Sequence, residues 1–350
     1  MKAQLLPINA VLEMTYSCNH KCLFCSCPWE NTVNPKLHYD RHNEIGLEDW
    51  KKALHILENH GVMLVSISGG EPLLKDCLVD LLYYVRNHTS LNKDEKIVLI
   101  SNGEMMSDYF LSIFKDLNVH LSLSLPGLTT FEYHTGSMTN TPSNVLRWLS
   151  HAKELSVDTT VNITVTSKNY HELYETIANG LIAGADTILI NRVLYGGRGV
   201  SYHDELSLSR EELRGIIDIA EEVLSKSKRL GSLGTEYPLC LISDKIENCE
   251  RLRIGSQCAA AKDFFVIDPS GYVRACNHSP RRVGHIFDTE IISDKTYWDT
   301  FAKNTYDLPD MCNGCEHVNN CDCGCREAAS ICYGSLSAPD PCFSEYEDLA

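Results

Sequence analysis

Three cysteines near the start of the chain have a spacing that suits a metal cluster. They are Cys18, Cys22 and Cys25 in the run C-N-H-K-C-L-F-C, with three and then two residues between them. A cubane iron–sulfur cluster takes one thiolate per iron, so this loop holds three irons and leaves the fourth open to a chelating molecule. A structural zinc site is the alternative, but such sites are usually closed by four ligands. No obvious fourth ligand stands beside this loop.

A predicted strand leads into the thiol loop, and a series of helices and strands follows it. The first strand covers residues 10–15, and β-branched or apolar runs predict the others at residues 62–68, 96–101, 119–125, 157–166 and 186–191. Helical spacing of apolar residues covers residues 47–57, 73–87, 104–117, 143–155 and 170–183. This alternation predicts an α/β fold with a parallel sheet, whose functional residues gather at the carboxyl ends of the strands.

A glycine-rich turn follows the second predicted strand directly. It consists of Gly69, Gly70, Glu71 and Pro72. Glycines let the main chain approach a ligand closely, and the carboxylate can meet a cation. An ordinary strand-to-helix turn is the alternative interpretation of this segment alone.

The thiol loop, with Phe24 before its third cysteine, and the G-G-E-P turn together resemble the radical S-adenosylmethionine (SAM) enzymes. The resemblance implies a partial (β/α)6 TIM-like barrel in which SAM occupies the open iron and the G-G-E-P turn binds its amino group. It also implies that Cys18, Cys22 and Cys25 are catalytic. Reductive cleavage of SAM would then generate a 5′-deoxyadenosyl radical that takes a hydrogen atom from the substrate.

The same resemblance suggests further SAM contacts at the ends of later strands. Ser122 and Ser124 are candidates for the SAM ribose, although Pro126 departs from the family's usual acidic residue before glycine. Asn169 and Arg192 also stand at positions that resemble SAM-facing ones. A helix cap for Asn169 and a surface salt bridge for Arg192 are the alternatives.

The last part of the chain carries seven cysteines in a distinctive order. They are Cys258, Cys276, Cys312, Cys315, Cys321, Cys325 and Cys342, with a C-x2-C-x5-C-x3-C run among them. The residues between the first two predict a hairpin that turns at residues 268–271. This order resembles the SPASM extension of radical SAM enzymes, which carries two auxiliary [4Fe-4S] clusters. We therefore expect a barrel over residues 1–234 and a small SPASM domain over residues 235–350.

The resemblance also implies how the C-terminal cysteines are shared between the two auxiliary clusters. One cluster uses Cys312, Cys315, Cys321 and Cys342. The other uses Cys258, Cys276 and Cys325 with an upstream cysteine, for which Cys249 is the first choice and Cys240 the second. An open iron is a third possibility, and a zinc ribbon is the alternative to both clusters.

Composition excludes several classes of function. The 350 residues include 31 Lys and Arg against 47 Asp and Glu, a net charge of −16. Because nucleic-acid affinity depends on basic side chains, this composition argues against a nucleic-acid substrate. No stretch of about 20 apolar residues or signal peptide is present, so we expect a cytoplasmic protein. In that reducing compartment, 16 cysteines favour metal ligation over disulfides.

Two auxiliary clusters fit an oxidation, and the leading interpretation is a maturase that cross-links a small ribosomal peptide. A dehydrogenase of a small alcohol or sugar is one alternative, and a non-enzymatic iron–sulfur or zinc scaffold is another. A formylglycine-type sulfatase maturase is disfavoured because those relatives place an acidic base where this chain has Asn277. An amide cannot accept a proton as a general base does.

The partners follow from the same interpretation. Only 17 residues precede Cys18, so no fused leader-binding domain is expected there. A precursor peptide would therefore use a separate leader-binding protein or bind directly at the mouth of the barrel. An electron donor such as flavodoxin or ferredoxin would reduce the cluster.

Overall fold

One sheet of eleven strands runs through the described part of this computed structural model, which comprises residues 5–30 and 43–343. The strands are β1 Asn9–Glu13, β2 Leu64–Ser68, β3 Ile97–Ser101, β4 Val119–Ser124, β5 Thr159–Val165, β6 Thr187–Arg192, β7 Leu230–Leu233, β8 Leu252–Arg253, β9 Phe264–Ile267, β10 Tyr272–Arg274 and β11 Arg282–His285. Their order across the sheet is β11-β10-β9-β1-β2-β3-β4-β5-β6-β7-β8.

The first six strands confirm the predicted parallel sheet. β1 to β6 pair in sequence order, and every pairing among them is parallel. Side chains alternate between the two faces of each strand, as in β5, where Thr159, Val161 and Ile163 are buried while Asn162 and Thr164 are half-buried and line a cavity. The carboxyl ends of these strands therefore meet at one edge of the sheet.

Eleven α-helices are found among the described residues. They are α1 Leu47–Asn59, α2 Leu78–His88, α3 Asp108–Asp116, α4 Phe131–Thr135, α5 Pro142–Glu154, α6 Leu173–Ile182, α7 His203–Leu206, α8 Arg210–Ser227, α9 Leu239–Ile246, α10 Lys295–Ala302 and α11 Arg326–Tyr333. None of them is long and apolar enough to cross a membrane. The predicted α/β class is confirmed.

Amphipathic faces explain how the helices cover the sheet. In α1, Trp50, Leu54 and Leu57 recur at helical spacing and are fully buried. Burying each such side chain contributes roughly 1.5–3 kcal/mol. α8 begins at a capping box in which the Ser209 hydroxyl accepts the Glu212 N–H and the Glu212 carboxylate accepts the Ser209 N–H. The sequence S-x-x-E therefore fixes where this helix starts.

The C-terminal part of the chain joins the same sheet. β9 pairs parallel to β1, with Ala10 opposite Phe265 and Leu12 opposite Ile267. β10 runs antiparallel to β9, which confirms the hairpin predicted at residues 268–271. On the other side, β7 and β8 extend the sheet beyond β6. The sheet thus crosses residue 234, and the division of the chain into two domains there stays a prediction.

Candidate active site

The thiol loop lies at the carboxyl end of β1 and forms part of a cavity wall. Cys18, Cys22 and Cys25 all line a cavity of about 430 Å³, a size that is usual for a ligand or cofactor site. Phe24 lines the same cavity and packs against His134, with 5.8 Å between the ring centroids. The structure therefore brings together the four loop residues singled out in the sequence.

The loop thiols are protonated in the absence of a metal. Burial raises the pKa of Cys18 to about 11 and also raises the pKa values of Cys22 and Cys25. The main-chain N–H of His20 and the Asn102 amide point at the Cys18 sulfur, at 3.4 and 3.9 Å. Because a metal binds the thiolate, cluster assembly releases protons from this loop.

The two glycines of the G-G-E-P turn pack closely against the main chain at the start of the thiol loop. The Gly70 N–H donates to the Thr15 carbonyl at 2.6 Å, and the Glu71 N–H donates to the Ser17 carbonyl at 2.8 Å. A Cβ on Gly69 would lie 2.4 Å from the Thr15 oxygen, and one on Gly70 would lie 2.3 Å from the Ser17 oxygen. The glycines thus allow a close approach of two main chains, beside the cavity that both line.

Replacing Gly70 with alanine should displace the thiol loop, because the new methyl group meets main-chain atoms that cannot rotate away. We expect the free energy of unfolding to fall by about 1–3 kcal/mol and the iron content after anaerobic reconstitution to fall with it. Gly255→Ala is the matched control, since no atom lies within 4 Å of a Cβ built there. Equal iron content in both variants would contradict this role for Gly70.

The Glu71 carboxylate is directed into the protein rather than into the cavity. It accepts hydrogen bonds from the Leu73 N–H at 3.1 Å, the Ser101 hydroxyl at 2.9 Å and the Asn102 N–H at 2.8 Å. Burial raises its pKa to about 7. Glu71 ties the ends of β2 and β3 together in this structure, and Pro72 is buried in the short turn that follows. Their predicted contact with SAM stays a prediction.

Only some of the residues that were predicted to contact SAM at the strand ends line the cavity. Ser124 lines it, whereas Ser122 is buried and its hydroxyl has no hydrogen-bond partner among the described residues. Asn169 does not line the cavity: its amide oxygen accepts the Thr166 N–H at 2.8 Å and its NH₂ group donates to the Pro126 carbonyl at 2.9 Å. In this structure Asn169 holds a turn and does not cap the following helix with its side chain.

Polar residues on β5 and β6 line the cavity without having been singled out in the sequence. They are Asn162, Thr164 and Asn191. The Asn191 amide donates to the Asn162 amide oxygen at 2.7 Å. Asn162 and Thr164 are two positions apart in β5 and therefore share one face, a pattern that could have revealed them.

Arg192 lies at the cavity but uses its guanidinium to hold the C-terminal segment. Its two terminal nitrogens donate to the Asp340 carboxylate at 3.1 and 2.6 Å, and its Nε donates to the Glu236 carbonyl at 3.0 Å. Arg192 is 2% exposed and Asp340 is fully buried. The ion pair is therefore internal and not the surface salt bridge considered from the sequence, and a contact of Arg192 with SAM stays a prediction.

The segment after β6 covers the other side of the thiol loop. A Cβ on Gly197, whose φ is +49°, would lie 2.1 Å from the Cys27 carbonyl oxygen. Arg198 donates to the Cys22 carbonyl at 3.0 Å and forms an ion pair with Glu30. These contacts fix the main chain between the second and third loop thiols.

The C-terminal segment supplies part of the cavity wall. Asn277 and His278, directly after Cys276, line the same cavity. The Asn277 amide donates to the Glu13 carboxylate at 3.0 Å. Burial, with the charges of Arg192 and Arg274, lowers the pKa of His278 to about 4. His278 is therefore neutral at pH 7.

A buried ion pair joins β1 to this segment. The Arg274 guanidinium contacts the Glu13 carboxylate and donates to the Tyr16 hydroxyl at 2.9 Å, and that hydroxyl donates to Glu13 at 2.6 Å. Arg274 also donates to the main-chain oxygen of Ser279 at 2.9 Å. Arg274 is 0% and Glu13 is 5% exposed. Sequence reasoning missed this cluster because its members are about 260 positions apart.

The C-terminal thiols fall into two neighbourhoods. Cys258, Cys276 and Cys325 lie near one another, and burial is the main cause that raises the pKa of each. The second neighbourhood consists of Cys240, Cys312, Cys315, Cys321, Cys323 and Cys342. Cys249 lies in neither and instead neighbours Glu221, Asp218 and Lys245.

Residues 12–179, which include the thiol loop and the G-G-E-P turn, match the model of the radical SAM superfamily. The chain carries a radical SAM domain. The resemblance identified from the sequence is confirmed.

Two relatives that are similar to this chain are peptide-modifying enzymes by name. The PqqA peptide cyclase of Bradyrhizobium diazoefficiens is 25% identical over 345 residues, which cover 96% of this chain and 86% of the relative. The mycofactocin maturase MftC of Mycolicibacterium smegmatis is 25% identical over 350 residues, which cover 96% and 82%. The similarity therefore extends beyond the radical SAM domain into the C-terminal region.

Solved structures show the same fold. Streptococcus suis SuiB bound to its precursor peptide SuiA matches 96% of this chain and 75% of that chain, with a TM-score of 0.71 and 16% identity. The anSMEcpe protein with bound AdoMet and the Cp18Cys peptide matches 98% and 95%, with a TM-score of 0.72 and 17% identity. The predicted fold class, a radical SAM barrel with a cysteine-rich C-terminal region, is confirmed.

The residues at the cavity fit the cofactors of a radical SAM enzyme, SAM and iron–sulfur clusters. All 16 cysteines are free thiols, and four of them, Cys18, Cys22, Cys25 and Cys27, line the cavity from one segment. Amide and hydroxyl groups of Ser124, Asn162 and Asn191 can bind the polar groups of SAM. Within the described residues, no group of three or more His, Cys, Asp or Glu side chains already holds the arrangement of a metal site.

Proposed function

We propose that this protein is a radical SAM oxidoreductase that cross-links a small ribosomally made precursor peptide. The proposal is supported above all by one shared cavity. The thiols of Cys18, Cys22 and Cys25 line it together with Asn277 and His278, which follow Cys276 directly. A substrate bound there lies beside both the catalytic loop and the first group of C-terminal thiols.

The role of each part of the cavity follows from its chemistry. Cys18, Cys22 and Cys25 hold a [4Fe-4S] cluster with one open iron, and the polar residues of β4 to β6 bind SAM. When bound, SAM and the reduced cluster supply a 5′-deoxyadenosyl radical that removes a hydrogen atom from the substrate.

An oxidative cross-link requires an electron acceptor as well as a radical source. Forming one new bond removes two hydrogens from the peptide, and the radical takes only one of them as an atom. The second leaves as a proton, and one electron remains to be removed. Two auxiliary [4Fe-4S] clusters held by the C-terminal cysteines are suited to accept it.

A peptide is favoured as the substrate by the relatives named above. Their names describe a PqqA peptide cyclase and a mycofactocin maturase, and SuiB, which has the same fold, is bound to its precursor peptide SuiA. We also propose that a flavodoxin or ferredoxin donates the electrons, that a separate protein binds the leader of the peptide, and that the reaction takes place in the cytoplasm.

The proposal is tested with a short peptide encoded next to the gene of this protein. Anaerobic protein with SAM, dithionite and the peptide should release 5′-deoxyadenosine and convert the peptide to a product that lacks two hydrogens. Mass spectrometry should show suppressed fragmentation inside the cross-linked segment. A hydrazide-reactive aldehyde would instead indicate formylglycine formation, and turnover confined to a small alcohol would indicate a dehydrogenase.

Replacing Cys315 with alanine should separate SAM cleavage from formation of the cross-linked peptide. We expect SAM cleavage to continue without peptide, because the thiol loop is intact, while the cross-linked product is lost. The 5′-deoxyadenosine and the peptide product are measured in the same reaction mixture by liquid chromatography and mass spectrometry. Cys77→Ala serves as the control, since Cys77 lies beside Lys75, Asp80 and Asp76 and outside the C-terminal thiols. Normal product formation by the Cys315 variant would exclude its role as a cluster ligand.

A further inference from the structure

A carboxylate shortly after β3 contacts the part of the thiol loop between Cys18 and Cys22. The Glu104 Oε2 atom accepts a hydrogen bond from the Asn19 amide at 3.0 Å and lies 2.9 Å from the His20 Nε2 atom. Asn19 and His20 directly follow the first thiol in the sequence. One side chain, 85 positions away from Asn19, therefore holds both of these loop residues.

The Asn19 side chain is bound at both of its ends. Its NH₂ group donates to Glu104, and its amide oxygen accepts a hydrogen bond from the Asn102 amide at 2.7 Å. The main-chain N–H of Asn102 donates in turn to the buried Glu71 carboxylate at 2.8 Å. Asn19 cannot rotate without losing a hydrogen bond, and the start of the thiol loop is thereby tied to the ends of β2 and β3.

Glu104 itself is held in place by its own turn and by the segment after α4. The preceding Gly103 has a φ of +78°, and the Glu104 N–H donates to the Asn102 side-chain oxygen at 3.0 Å. The Thr139 hydroxyl donates to the Glu104 Oε1 atom, and the Ser137 hydroxyl donates to Oε2 at 3.4 Å. The Glu104 side chain is 19% exposed. Its carboxylate is thus a fixed support for the loop residues.

The residue after Asn19 points its main-chain N–H at the first thiol. The His20 N–H donates to the Cys18 sulfur at 3.4 Å, and its buried ring packs edge-on against Phe131, with 6.4 Å between the ring centroids. Hydrogen bonds to the sulfurs are among the factors that set the reduction potential of an iron–sulfur cluster. They place the positive end of a dipole beside the sulfur and so stabilise the reduced cluster, which carries more negative charge.

We propose that Glu104 is a positioning residue that keeps the His20 N–H on the Cys18 sulfur and thereby raises the reduction potential of the thiol-loop cluster. Glu104 acts through Asn19 and His20 and needs no contact with the cluster, with SAM or with the peptide. The inference rests on the thiol-loop cluster of the proposed function, but neither on the auxiliary clusters nor on which molecule is modified. Its consequence is a cluster that an electron donor reduces more easily.

The direction of the change separates this role from a simple effect of charge. A carboxylate near a cluster opposes its reduction, because reduction adds negative charge. Removing the charge alone therefore raises the potential, whereas loss of the hydrogen bonds lowers it. Glu104→Gln removes the charge, but its amide oxygen can still accept the hydrogen bond from Asn19. Glu104→Ala removes both, so a comparison of the two uncharged variants isolates the effect of positioning.

The test is a redox titration of the full-length protein after anaerobic reconstitution. The electron paramagnetic resonance signal that changes when SAM is added identifies the thiol-loop cluster, and its size is followed as the applied potential is lowered. Glu104→Gln should titrate at or above the midpoint potential of the parent, and Glu104→Ala should titrate at a more negative potential than Glu104→Gln. Glu132→Ala is the matched control, since it removes an exposed carboxylate from α4, and it should not titrate below the parent.

A second variant decides the question if Glu104→Ala fails to keep its iron. Asn19→Ala keeps the charge of Glu104 but removes the side chain that Glu104 holds, and it should titrate at a more negative potential than the parent. Equal midpoint potentials for Asn19→Ala and the parent, or for Glu104→Ala and Glu104→Gln, would overturn the role of Glu104 and leave the proposed function intact. A parent protein without any signal that responds to SAM would refute the thiol-loop cluster, and with it both the inference and the proposed function.

Discussion

Cys22→Ala is expected to abolish SAM cleavage. Cys22 is the central thiol of the loop, and its main-chain oxygen is fixed by Arg198. With only Cys18 and Cys25 left, the loop cannot hold a [4Fe-4S] cluster that leaves a single iron open. Anaerobic assays with SAM and dithionite should therefore yield no 5′-deoxyadenosine, and the iron content should fall by about four atoms per chain, which is one cubane.

Cys77→Ala provides the control for this loss. Cys77 is also a partly buried thiol, but its charged neighbours are Lys75, Asp80 and Asp76. This variant should keep its iron and its rate of SAM cleavage. Normal cleavage by the Cys22 variant would show that the loop is not the catalytic centre.

Arg274→Met is expected to cause the largest loss of stability among single substitutions in the cavity wall. The Glu13 carboxylate would remain buried without its cation, and breaking a buried ion pair in this way costs about 3–5 kcal/mol. The hydrogen bond to the Ser279 carbonyl would be lost as well. Urea unfolding under anaerobic conditions measures the change in the free energy of unfolding.

Two further variants show whether the charge is the cause. Adding Glu13→Gln to Arg274→Met removes the unpaired carboxylate and should restore part of the stability. Lys226→Met removes the exposed contacts of Lys226 with Glu222 and Tyr174 and should change the free energy of unfolding much less, because exposed ion pairs contribute little. Equal losses for Lys226→Met and Arg274→Met would rule out a special contribution of the buried pair.

Local signals predicted the parts of the fold that depend on neighbouring residues. The β-branched runs identified β2 to β6, and apolar residues at helical spacing identified α1 and α5. The S-x-x-E sequence from Ser209 to Glu212 forms the capping box at the start of α8. Each of these patterns lies within about 15 residues of sequence. The residues that cause the helix or strand are therefore the same residues that form it.

Contacts between distant segments could not be predicted in the same way. Nothing near β9 indicates that it pairs with β1, since the partners are about 255 positions apart. The orientation of Glu71 depends on Ser101 and Asn102 of another strand end. The position of Cys249 likewise depends on how α8 and α9 pack. The sequence of the chain shows only that Cys249 is a spare thiol upstream of Cys258.

The pairing of β9 with β1 also sets an order of events during synthesis. β1 can pair with β2 once residues 64–68 have been made, but its other edge has no partner until residues 264–267 have left the ribosome. At roughly 5–20 residues per second, about 255 further residues take on the order of 10–50 s. During that interval the strand that leads into Cys18 has an open edge, which is a site for aggregation. The wall formed by Arg274 and Asn277 is missing as well, so the catalytic cavity closes only after most of the chain has been made.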